Sequence, residues 1–144
     1  MSIAMKLNPY LSDLVVLYLK LHDLHWNVKG KMFVPAHEYT ESRYEDMADK
    51  FDAVAEIIIM HGEAPVSSMK EYMELASIKE LNRGSYRDEE VLAEVLKDLE
   101  YLRGKALELR GEFDAEGKFS IVNLLEDHIS GYDKEIWFLK SMLA

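Results

Sequence analysis

The chain contains no cysteine. Disulfides, thiolate catalysis, zinc fingers and iron–sulfur ligation are therefore excluded. Proline is scarce, with three in 144 residues, so few positions force a helix to stop. No apolar run approaches the roughly 20 residues that span a bilayer. The opening MSIAMKLNPYLSDL has neither the basic start nor the apolar core of a secretory signal, and a cytoplasmic location with no membrane contact is the expectation. Positive charge is also short. Against 27 Asp and Glu stand 17 Lys and Arg, a formal charge of −10. Such a surface repels nucleic acid and anionic lipid and draws cations.

What is present is helical period. At 144 residues and 49% hydrophobic content the chain suits one domain, residues 1–144, with its own core. The first stripe runs from about Asn8 to Lys29 through Leu11, Leu14, Tyr18, Leu21 and His25, and stops at Gly30. The second opens after Pro35, carries Tyr44, Met47, Phe51, Val54 and Ile58, and ends at His61-Gly62. The third covers about Asp88 to Arg110, and the fourth about Lys118 to Leu143. Nothing alternates with period two for long enough to make a sheet. Short links pair the first helix with the second and the third with the fourth. Between the second and third lie about 25 residues, long for a structureless loop, and within them SSMKEYMELASI reads as a short helix with a serine cap. The expectation is an all-α, ferritin-like four-helix bundle whose long crossover holds an extra short helix.

The chemistry-bearing residues sit on the second helix. His37 and Glu41 stand four residues apart, as do Asp52 and Glu56, so each pair shares a face. All four project within an arc of about 100°, roughly 110° away from the core stripe. Ala48, Ala55 and Ile59 are interleaved with them. DxxxE and HxxxE pairs are by themselves ordinary solvated charges. Set among alanines they make a surface that another helix can approach, and imidazole with carboxylate and no sulfur is a donor set that suits iron. His25 lies twelve residues before His37 across a short turn and completes a set of His25, His37, Glu41, Asp52 and Glu56.

This set cannot close around one ion within one chain. His37 and Asp52 are about 22 Å apart along the helix axis at the usual rise, whereas ligand bonds are about 2 Å long. An antiparallel copy of the helix must supply the missing half, which makes a two-fold homo-oligomer part of the chemistry. Glu-x-x-His, the motif of an intrachain di-iron bundle, is absent. Of the other histidines, His22 reads as a hydrogen-bonded packing residue and His61 as a helix C-terminal cation. His128 is assigned no role. Trp26 reads as packing or, beside a redox metal, as a redox helper.

The segment LHWNVKGKMFVPAHEYTESRYEDMADKFDAVAEIIIMHGEAP, with EYMELASIKE and YDKEIWFLK further on, resembles the Dps family of ferritin-like mini-ferritins. The resemblance implies a ferroxidase centre at the two-fold interface. His25, His37 and Glu41 of one subunit would face the partner's Asp52 and Glu56, with Trp26 nearby. It also implies a twelve-subunit hollow shell that binds Fe(II), oxidises it preferentially with hydrogen peroxide over O2, and stores the Fe(III) mineral, so protecting against oxidative stress. Glu38 and Glu45 are candidates for mineral nucleation. The interfacial site would hold one or two irons, with zinc as a substitute.

Three departures from the family pattern stand out. Glu41 replaces the aspartate of many relatives. Asn123 falls where relatives often carry an aspartate lining the pore through which iron enters, with Glu126 and Asp127 beside it. The eleven residues up to Leu11 contain only Lys6, and the chain stops at KSMLA, so the basic tail of DNA-binding members is missing and DNA binding is expected to be weak or absent. A DNA-compacting protein and a shell with non-catalytic metal sites are the alternatives.

Overall fold

The computed structural model describes residues 1–144. Helix α1 (Ile3–Asn27) leads through strand β1 (Val28–Lys29) into α2 (Phe33–Met60); α3 (Met69–Leu75) and β2 (Tyr86–Arg87) precede α4 (Asp88–Ala115) and α5 (Phe119–Leu143). The four long helices form a bundle in which α1 packs most extensively on α2, and α4 on α5.

The helices run past the boundaries read from the sequence, for local reasons. Helix α1 begins at Ile3 rather than near Asn8. Ser2 caps it by accepting from the Met5 N–H, and the Glu63 carboxylate accepts from Ile3 and Ala4. Helix α2 begins two residues before Pro35. In a first turn the proline's missing N–H has no intrahelical partner to lose. Helix α4 continues to Ala115 because Phe113 extends its buried stripe.

The crossover is tied down along its length. The Asp13 carboxylate accepts from the backbone N–H groups of Ser77 and Ile78 at 2.7 and 2.9 Å, and Asn8 accepts from Val66. Helix α3 has the expected serine cap, Ser68, which accepts from the Glu71 N–H.

One feature corrects the sheet-free expectation. Val28 and Lys29 pair in parallel with Tyr86 and Arg87, a contact too short to leave a period-two signal. It pins the α1–α2 turn to the start of α4. Tyr86 is buried and donates to Asp23 at 2.5 Å, and Asp88 accepts from the Met32 N–H at 2.8 Å. Gly30, at φ +130°, passes so close to Asp88 that a Cβ would lie 2.4 Å from its carboxylate oxygen. Only glycine fits both the backbone angle and the gap. The turn that sets His25 against His37 is thereby fixed from three sides.

The core is one cluster of 30 buried apolar residues. Met47, Val54 and Ile58 of the predicted α2 stripe lie in it, whereas Tyr44 and Phe51 are only half-buried. The interior also holds charge. Buried Lys20 contacts Glu94 and Asp98 of α4, each at 2.6 Å. Tyr10 meets His128 at 2.9 Å and Tyr132 at 2.5 Å.

Candidate metal centre

His25 ends its helix buried, and His37 opens α2 half-buried. Their rings stack at 3.7 Å between centroids, 14° from parallel. Their hydrogen bonds are reciprocal. His25 Nδ1 lies 2.6 Å from the His37 carbonyl, and His37 Nδ1 lies 2.9 Å from the His25 carbonyl. A carbonyl only accepts, so both Nδ1 atoms carry the proton. In the neutral rings each Nε2 is then a free lone pair, the state in which imidazole binds a metal. Buried Thr40 supports this tautomer. Its Oγ1 donates to the Ala36 carbonyl at 2.8 Å and stands 3.2 Å from His25 Nδ1. Glu41, exposed, brings Oε1 to 4.0 Å from His25 Nε2.

Two-thirds of the way along α2, Asp52 and Glu56 are exposed and adjacent. Hydrogen bonding to Asp52 and repulsion from its charge hold the Glu56 carboxyl above the ordinary range. No lysine or arginine bridges to either of them. A divalent cation removes that repulsion. Within one chain no three His, Asp or Glu side chains converge on a point that an ion would occupy. The histidine half and the carboxylate half are separate, each incomplete. Alongside them Ala48 and Ala55 are half-buried and Ile59 is exposed, so the face between the halves is low and open.

Other residues fall as follows. His22 is hydrogen-bonded through Nδ1 to the Tyr18 carbonyl at 2.8 Å and stacks on Tyr44 at 3.7 Å. His61 Nδ1 lies 2.9 Å from the Ile57 carbonyl at the end of α2. Trp26 is 64% exposed, and its ring meets His22 at 5.4 Å. Glu38, Glu45, Asn123 and Asp127 are exposed, and Glu126 is held by Arg110 at 3.1 Å. His128, given no role from the sequence, is buried in the Tyr10–Tyr132 network, where burial first and the Lys50 charge second push its pKa down to about 4.

Thr40 and Tyr44 escaped the sequence reading. Thr40 was detectable as the residue one turn beyond Ala36, where a threonine hydroxyl bonds back to the carbonyl. Tyr44 was placed on the core stripe, but its hydroxyl lies 3.4 Å from Glu41 Oε1 and its ring is edge-on to His25 at 5.3 Å.

Comparison with known proteins agrees with this architecture. Residues 4–144 match the ferritin-like domain family. The chain is 35% identical over 133 residues to the DNA protection during starvation protein of Helicobacter pylori, covering 92% of each. It superposes on the crystal structure of Helicobacter cinaedi CAIP with a TM-score of 0.95 and 36% identity, covering 99% of this chain and 100% of that one. A Dps protein from Bacillus brevis gives a TM-score of 0.94 at 32% identity, covering 99% and 95%. The ferritin-like bundle, the extent of the match and this level of identity place the chain in the Dps family.

Proposed function

We propose that this protein is an iron-storing ferroxidase whose centre is shared between two subunits. His25, His37 and Glu41 of one subunit and the partner's Asp52 and Glu56 hold Fe(II), the substrate. The observation that carries this reading is the reciprocal hydrogen bonding of His25 and His37, which leaves two parallel imidazoles with their Nε2 lone pairs free beside a carboxylate. Nitrogen and oxygen donors without sulfur favour iron over copper(I) or a structural zinc. The raised Glu56 carboxyl marks a second cluster that lacks a counter-charge.

In this reading two Fe(II) ions each give one electron to hydrogen peroxide. The O–O bond breaks, two hydroxides leave and no radical is released. O2 serves as the slower oxidant. The protein's part is to hold the ions in place, fix the histidine tautomers and offset incoming positive charge. The Fe(III) mineral collects inside a twelve-subunit shell. A formal charge of −10 per chain, multiplied over such a shell, opposes DNA binding.

The test is Fe(II) oxidation by the metal-free protein, loaded anaerobically and then given peroxide or O2, beside Asp52→Ala/Glu56→Ala. Fast peroxide-driven oxidation is expected, lost in the double variant while the assembly stays intact. Equal slow rates in both proteins would overturn the reading and leave a shell that binds metal without turning it over.

A further inference from the structure

Two helical hairpins make up the bundle, α1 with α2 and α4 with α5. Ion pairs join them, such as Lys20 with Asp98 and Arg43 with Glu135. One polar contact between them is built from neutral groups and lies wholly inside. Tyr10 of α1 brings its hydroxyl to 2.9 Å from His128 Nδ1 and 2.5 Å from the Tyr132 hydroxyl, both on α5. All three residues are buried. The chain has one direction. Tyr132 has no acceptor other than Tyr10, so its O–H donates there, and the Tyr10 O–H is left to donate to His128 Nδ1. The imidazole proton then sits on Nε2. A second proton goes to Nδ1 and turns the chain round. Tyr10 must then donate to Tyr132, whose own hydrogen faces no acceptor, and an unpaired buried donor is costly.

The charges around the chain come from three helices. From α2 the Lys50 ammonium lies over the Tyr132 ring at 5.3 Å and pairs with Asp46 at 2.6 Å. From α1 comes the Asp13 carboxylate, already engaged by the Ser77 and Ile78 N–H groups. From α4, Tyr101, Lys105, Glu108 and Glu112 line the cavity that Tyr10 and Asp13 border, and this cavity is the way in for water. We propose that the Tyr10–His128–Tyr132 chain is an acid-released joint between the two hairpins. A proton on His128 strands the Tyr132 hydroxyl, and the seam between α1 and α5 parts so that water reaches both groups, while the helices themselves persist. Burial first and the Lys50 charge second hold the closed imidazole at a pKa of about 4, against 6.5 once it is open. The ratio of open to closed seam therefore rises about 25-fold from pH 7 to pH 5. Asp13 is not the source. Burial raises its carboxyl, so its protonation favours the closed form. The joint works in the same way whether or not the metal centre oxidises iron.

The chain has no cysteine, so a single introduced thiol reports on the seam. In the assembled metal-free protein, Leu14→Cys and Leu125→Cys place one on either side, about a turn from Tyr10 and from His128. Leu21→Cys, further along α1, is the reference. All three leucines are fully buried. Labelling by dithiodipyridine is followed from pH 7 to pH 4 and divided by the rate for a free thiol at the same pH. Both seam thiols should gain about 25-fold in relative rate between pH 7 and pH 5, with the rise beginning near pH 6.5. At pH 5 they should react about tenfold or more faster than Leu21→Cys, whose thiol waits for the whole bundle to unfold. With His128→Gln added, whose amide does not titrate in this range, the ratio between pH 7 and pH 5 should fall close to one, whatever the absolute rate. Relative rates that stay constant with pH would overturn the proposal. So would a rise that survives His128→Gln, a rise confined to the range below about pH 4.5 where carboxyls titrate, or equal rates at all three cysteines, the mark of global unfolding.

Discussion

Helix α2 carries two populations of charge, and they are treated in opposite ways. On the bundle side Arg43 lies 3.3 Å from Asp46 and 3.4 Å from Glu135, and Lys50 lies 2.6 Å from Asp46 and over the Tyr132 ring. Tyr39 donates to Glu135 at 3.0 Å. Each charge there has its counter-charge inside the chain, and only the Arg43 Nε lacks a partner. On the outer face Asp52 has Glu56 for its neighbour, a like charge, and the histidine Nε2 atoms are left free. The inner set is closed and rigidifies the bundle. The outer set is open, with no lysine or arginine paired to it. Charge on one side of a single helix is thus paired within the fold, and on the other it is left open.

The largest effect is expected where closed charge lies deepest in the bundle, between α1 and α4. Lys20 is buried with Glu94 and Asp98, and burial holds the Asp98 carboxyl above its ordinary range despite the lysine. Desolvation outweighs pairing at Asp98, whereas at Glu94 burial is overcome by the bonds from Lys20 and Lys97, which hold the carboxyl below its ordinary range, so the cluster as a whole adds little net stability. Removing Lys20 is a different matter, because it strands the buried Asp98 carboxylate and leaves Glu94 with Lys97 alone. Lys20→Met is expected to lose about 3–5 kcal/mol, read as a lower midpoint in urea unfolding. Lys20→Met combined with Glu94→Gln and Asp98→Leu should recover most of it. A single variant as stable as wild type would show that these charges reach water.

The next effect depends on pH. His128 is held neutral by burial, with its pKa near 4 against an ordinary value of 6.5. The folded protein therefore binds fewer protons than the unfolded chain between these values. The stability this confers is complete above pH 6.5 and is lost as pH falls toward 4. Between pH 7 and 5 the loss amounts to about 2 kcal/mol. His128→Gln should remove that part of the pH dependence, so the gap between wild-type and variant unfolding free energies narrows by this amount from pH 7 to 5. A constant gap would mean that His128 is protonated in the folded state.

The inner and outer sets were not equally legible in the sequence. Helical period at Leu11, Leu14, Leu21 and Met47, Val54, Ile58 announced the bundle because core packing repeats every turn. Pairing by i, i+4 put His37 with Glu41 and Asp52 with Glu56, and a fixed rise per residue was enough to separate the two pairs. The β1–β2 contact, the Asp88–Gly30 latch and the Tyr10–His128–Tyr132 network were not legible. Each joins residues 56 or more apart in the chain, as Met32 to Asp88 and Tyr10 to His128 do, and no local pattern encodes such pairings. Tyr44 was misjudged for a related reason. Its helical position lies between the core stripe and the ligand face, and only the neighbouring α1 decides which way the ring turns.

The smallest effect on stability should come from the outer side, and its smallness is the point. Hydrogen bonding to Asp52 and repulsion from its charge raise the Glu56 carboxyl in the folded protein, so an ionised Glu56 opposes folding. The sign is the reverse of His128: this penalty is present at neutral pH and fades as pH falls and Glu56 takes up its proton. Glu56→Gln in the metal-free protein should melt at or slightly above the wild-type temperature at pH 7, and the two should coincide at pH 4. With Zn(II) or Fe(II) added, the order reverses. On the proposed function a cation bound to the native assembly raises the wild-type midpoint by mass action, and the variant, with one proposed ligand gone, gains less. A Glu56→Gln protein that melts well below wild type without metal would place Glu56 among the groups that hold the fold, and the division between the two faces of α2 would fail.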